Sequence, residues 1–162
     1  MSRDTLYQQL RAHLAYLKLT AAAEALLYVG KHWAHLKAQL GFTAVLHTWN
    51  SLLLLHPHVH ILIPAGGLSF DGTQWISMPE GFRFPKDMLR SEFRKRFLKK
   101  LKKAYQQQKL KFYGRSGHLE NPQEFEKLVK KMETCYWNIE DRPIWPEEGE
   151  TVREAASRVV AY

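Results

Sequence analysis

The chain has 162 residues, 45% hydrophobic and 25% charged, the make-up of one ordinary globular domain with enough apolar surface for a core. Lys and Arg number 24 against 16 Asp and Glu, and the net charge of +8 favours an acidic partner, of which nucleic acid is the commonest. The one cysteine, Cys135, excludes an internal disulfide and a cysteine-rich zinc module. The chain shows no secretory leader pattern and no run of about 18 apolar residues, so the expectation is a cytoplasmic protein without a membrane span.

The charge is concentrated. Residues 81–116 carry thirteen cations against Asp87 and Glu92, whereas residues 117–162 carry six basic and ten acidic side chains. In chain order, residues 4–29 predict a helix, because Leu6, Leu10, Leu14, Leu17 and Ala21 recur at the spacing of one helix face. Asp4 serves as its N-cap and Gly30 as its stop. Lys31–Leu40 predicts a second, short helix. Phe42–Trp49, rich in β-branched and aromatic residues, predicts a strand, and His58–Pro64 predicts another with Pro57 at its entrance. Leu68–Phe70 and Gln74–Met78 predict a hairpin around Asp71-Gly72.

Pro85 opens a predicted helix over Lys86–Gln107, with Leu89, Phe93, Phe97, Leu101 and Tyr105 as its apolar stripe. Gly114–Gly117 reads as a loop. Asn121-Pro122 starts a helix to about Glu133, with Asn as N-cap and Pro at its first position. Asp141–Gly149 reads as a linker and Thr151–Tyr162 as a last helix. The expected architecture is α+β, a small antiparallel sheet of two to four strands packed against helices. A helical segment, 1–40, precedes a core over 41–137 containing the basic helix 86–107. An acidic linker and C-terminal helix occupy 138–162.

His56-Pro57-His58-Val59-His60 is the sharpest local feature. Alternate strand residues share a face, so His58 and His60 point the same way and suit a shared divalent cation. His47 joins them if the two strands pair antiparallel. Three imidazoles leave open positions for water or a phosphate oxygen. The bland alternative is a solvated strand edge that carries histidines.

Leu40-Gly41-Phe42-Thr43-Ala44-Val45-Leu46-His47-Thr48-Trp49, then His56-Pro57-His58-Val59-His60 and Pro64-Ala65-Gly66-Gly67-Leu68-Ser69, resemble rolling-circle transposases of the insertion-sequence-91 family. These are HUH endonucleases, named for two histidines flanking a hydrophobic residue. The resemblance spans roughly Leu36–Trp137 and includes Arg94-Lys95-Arg96-Phe97-Leu98. It implies that His58 and His60 ligate magnesium or manganese, which polarises the scissile phosphate of single-stranded DNA while a downstream tyrosine attacks. The family's pair of tyrosines separated by three residues is absent, which leaves strand cleavage without its nucleophile. The first 25 residues resemble the N-terminus of helper ATPases of insertion-sequence-21 transposons, without a Walker phosphate loop. A transposase-like core between such flanks implies a mosaic or artificial reading frame.

The basic segment supplies the candidate nucleic-acid contacts: Arg90, Arg94, Lys95, Lys99, Lys102, Lys103, Lys109 and Lys111. Cations release counterions from a phosphate backbone, and Phe82, Phe84, Phe112 and Tyr113 offer surfaces for stacking bases. The expected partner is single-stranded or hairpin DNA. A protein partner for the basic helix is the competing reading, with the acidic tail folding back to mask its charge. On that reading the chain is a non-enzymatic macromolecule-binding protein, such as an inhibitor of a nucleic-acid-handling complex or a toxin–antitoxin component.

Overall fold

The computed structural model describes residues 3–49, 55–142 and 148–151. The expected helix over Thr151–Tyr162 lies almost wholly outside them, as do the side chains of Leu6 and Leu10. Three α-helices are described: α1 (Arg3–His32), α2 (Lys86–Gln106) and α3 (Pro122–Thr134). Between α1 and α2 lie four strands: β1 (Thr43–Trp49), β2 (Leu55–Leu62), β3 (Gly66–Leu68) and β4 (Trp75–Ser77). They form two antiparallel sheets of two strands each, β1–β2 and β3–β4, so the α+β expectation holds. Among the described residues, no helix is long and apolar enough to cross a membrane.

Two apolar clusters organise the packing. Leu17 and Ala21 of α1 meet Phe97, Leu98, Leu101 and Ala104 of α2, with Phe125 and Val129 of α3 and the following-segment residues Leu110 and Phe112. The second cluster joins Leu26 of α1 to Leu36, Ala38, Leu40 and Met78, flanked by Phe42, Ile61, Ile76 and Leu89. The stripe on α2 therefore splits: Phe97 and Leu101 are buried in the first cluster, Phe93 and Tyr105 border it, and Leu89 turns to the second. The Tyr105 ring stacks on Phe125 at 3.7 Å, and its hydroxyl donates to the Glu120 carbonyl at 2.9 Å.

Several local expectations are corrected. Lys31–Leu40 is not a helix. The chain turns after His32, Lys37 takes φ +46°, and the Ala38 N–H returns to the Gly30 carbonyl at 2.9 Å. Gln39 then exchanges backbone hydrogen bonds with Leu68 at 2.7 and 3.0 Å, so strand pairing overrides a helical pattern of residues. Gly67 is required there, because a Cβ would lie 2.6 Å from the Gln39 carbonyl oxygen. The hairpin around Asp71-Gly72 forms as expected, with its strands at Gly66–Leu68 and Trp75–Ser77. Asp71 accepts from the Ser69 and Thr73 hydroxyls and the Thr73 N–H, which holds its carboxyl at about 2. Gly114–Glu120 is a 3₁₀ helix rather than a loop, closed by mutual hydrogen bonds between Tyr113 and Ser116. Asn121 caps α3 as expected, accepting from the Gln123 N–H at 2.8 Å.

Candidate metal centre and basic groove

β1 and β2 pair antiparallel with His47 opposite His58 and Val45 opposite His60. The two-residue period puts Thr43, Val45 and His47 on one face with His58, His60 and Leu62. That face is open: Val45 is 48% and Leu62 54% exposed. The other face carries Ala44, Leu46, Val59 and Ile61, all half-buried, and α1 packs against both strands. Pro57 lies inside β2, not at its entrance, because the strand begins at Leu55. Two residues of β2, His56 and Pro57, oppose the single Thr48 between the pairs Trp49–Leu55 and His47–His58. This is a β-bulge, where an ordinary ladder position would demand the N–H that proline lacks.

The three imidazoles converge. Ring centroids are 4.4 Å apart for His47 and His60, 4.7 Å for His58 and His60, and 5.4 Å for His47 and His58. One ring nitrogen from each lies within 4.8 Å of the others. Ligands at about 2 Å from a tetrahedral ion sit roughly 3–3.5 Å apart, so small side-chain rotations bring the set onto one ion. Although the His60 side chain reaches solvent, its imidazole is held below the ordinary histidine range. Loss of water around the ring is the first cause, and repulsion from His47 and His58 adds to it.

The predicted nucleic-acid residues separate into groups. Arg94, Lys95, Lys99, Lys102 and Lys103 line one open groove of about 840 Å³ along α2, floored by Leu98 and bordered by Glu133 of α3. Lys102 pairs with Glu133 at 3.4 Å and Glu126 at 3.9 Å, and Lys95 with Glu92 at 3.9 Å. Arg90 is elsewhere. It donates to the Trp137 carbonyl at 2.8 Å and the Tyr136 hydroxyl at 3.1 Å, and it pairs with Asp87. Lys109 and Lys111 are exposed after the helix. Phe112 is buried in the core, and Phe82 and Phe84 are half-buried against the second cluster. Asp141 does fold back, accepting from the Phe84 N–H at 2.9 Å and from the Arg83 guanidinium at 2.6 Å, but it meets the segment ahead of α2 rather than the groove.

Among the described residues no Cα of α2 lies within 8 Å of one in β1 or β2, whereas α1 approaches both that closely. The imidazole cluster and the groove therefore stand on separate elements. Sequence reading missed Lys18, whose ammonium donates to the Pro57 carbonyl at 3.1 Å. It also missed a hollow lined by Arg115, His118, Lys127 and Lys131, which no single segment announces.

Comparison with known proteins decides the family. The family described as "Putative transposase" matches residues 41–156, well over half of the chain. The chain belongs to this transposase family. It is 39% identical over 127 residues, 78% of its length, to "Putative transposase y4qJ" of Sinorhizobium fredii (strain NBRC 101917 / NGR234). The chain spans 32% of that relative. The match runs past Trp137, so the transposase-like region reaches further than the resemblance in the sequence indicated. No solved structure matches this family member.

Proposed function

We propose that this transposase-family chain is the metal- and DNA-contacting segment of an HUH-type rolling-circle transposase of the insertion-sequence-91 kind. The convergence of His47, His58 and His60 on an open sheet face carries the reading. Among the described residues the donor set is all imidazole, with no carboxylate in the cluster. Magnesium prefers oxygen ligands and fits it poorly; manganese fits better, and zinc better still. When bound, such an ion would polarise a phosphate oxygen. His58 and His60 hold it from one strand, His47 from the other, and the open side of the face admits single-stranded DNA. The α2 groove contacts the phosphate backbone through Arg94, Lys95, Lys99 and Lys103. No tyrosine of the chain is assigned the nucleophile's role.

Thermal melting with and without manganese tests this reading. Manganese raises the melting temperature of the wild type, and His58→Ala with His60→Ala removes the shift. An equal shift in the double variant refutes it. Incubation with labelled single-stranded DNA and manganese reads nicking and covalent adducts separately.

A further inference from the structure

We propose that Lys18 is a positioning residue that pins the β2 bulge and so holds His58 opposite His47. The proposal rests on the metal reading of the histidine cluster and names what keeps that cluster in register.

Lys18 stands on α1, outside residues 41–156 that match the family. Its Nζ donates to the Pro57 carbonyl across 39 positions of sequence. Pro57 is in the bulge, next to His58. A bulge interrupts the ladder and leaves backbone groups of the extra residue without a strand partner, and an unpaired, sheltered carbonyl is costly. The ammonium gives the Pro57 carbonyl a side-chain partner at 3.1 Å. Lys18 is itself half-buried, and burial holds its amine below the ordinary lysine range. Among the described ion pairs no carboxylate accompanies it, so the carbonyl is its described polar partner.

The consequence follows from strand periodicity. A one-residue slip of β2 against β1 sends every side chain to the opposite face. His58 and His60 would turn toward α1, and Val59 and Ile61 would turn outward. Among the described residues the sheet has no third strand to resist such a slip, so the register rests on α1, through its packing on the half-buried face and through this donor. A helix-borne donor fastened to the bulge fixes which residue is the extra one, and with it the face that the histidines occupy.

The test titrates manganese ion alone into the full chain by calorimetry, for wild type, His58→Ala, Lys18→Met and Lys18→Arg. Circular dichroism confirms helix content, and NMR reads cross-strand proximity of His47 and His58. Lys18→Met is expected to weaken manganese binding about 10-fold or more, in the range seen when outer partners of metal ligands are removed. The His47–His58 cross-strand signals should disappear in it as well. Lys18→Arg keeps a long cationic donor and is expected to recover binding to within about threefold of wild type. Unchanged binding and cross-strand signals in Lys18→Met overturn the proposal while the metal reading stands. If wild type binds no manganese, or His58→Ala binds it equally, the metal reading falls; persistence of the His47–His58 signals in Lys18→Met then judges the register role by itself. Should Lys18→Met fail to fold, Lys18→Gln decides: wild-type affinity and cross-strand signals in that shorter, neutral variant overturn the proposal.

Discussion

The β1–β2 hairpin and the outer face of α2 both gather candidate ligand-binding side chains, by opposite physical means. In the hairpin, three imidazole rings from two strands bring one nitrogen each within 4.8 Å of the others. That arrangement exists only in one strand register. On α2, Arg94, Lys95, Lys99, Lys102 and Lys103 share a groove because helical periodicity alone aligns them. The first site is all-or-none, since removing one ring breaks the set. The second is graded, since each cation adds a screened Coulomb contribution. Among the described residues no Cα of α2 lies within 8 Å of one in β1 or β2, which makes the two separable by mutation.

The largest expected effect is on the hairpin. His58→Ala with His60→Ala abolishes the manganese-induced rise in melting temperature, whereas Arg94→Glu, Lys95→Glu and Lys99→Glu together leave it intact. Loss of the shift in the charge-reversal variant would show the two regions to be one coupled site. The same triple variant should weaken single-stranded DNA binding about 100-fold at low salt. It should also flatten the log–log salt dependence by about 2, at about 0.7 for each phosphate that is no longer neutralised. A filter-binding series over salt concentration reads both.

Acid separates the regions next. His60 has a folded pKa below the ordinary 6.5, so in that window the unfolded chain holds more protons. Its contribution to stability is present above about pH 6.5 and declines as pH falls toward the lowered folded value. Protons compete with the metal in the same direction. The manganese shift should therefore fade below pH 6.5, and DNA binding by the lysine groove should not fade with it. Melting curves at pH 5.5 and 7.5 with and without manganese, beside binding isotherms, check this. The smallest effect sharpens the edge of the groove. Arg90→Ala should change DNA affinity about twofold or less, a change typical of surface charges, because the guanidinium is committed to Trp137 and Tyr136.

Period-two alternation in His58-Val59-His60 was enough to place two imidazoles on one face, and helical spacing was enough to align the α2 cations. The apolar stripe of α2 and the Asn121-Pro122 cap were legible for the same reason, since each depends on residues within about a turn of one another. Lys31–Leu40 was not, because its conformation is set by Gln39 pairing with Leu68, 29 positions further on. The division among the cations was hidden as well: whether Arg90 or Arg94 faces the groove depends on where Trp137 packs, against Phe93 and Phe97.

What the amino-acid order determined by itself was the local periodicity: the long helices, the strand that carries His58 and His60, and the dense charge of residues 81–116. What tertiary structure decided was partnership. His47 joins the cluster only through antiparallel pairing, the bulge at Pro57 sets the register of that pairing, and α1 supplies the donor from Lys18. Local spacing is written within a few residues of chain, whereas register and burial depend on which distant segments pack together, and no single segment encodes that choice.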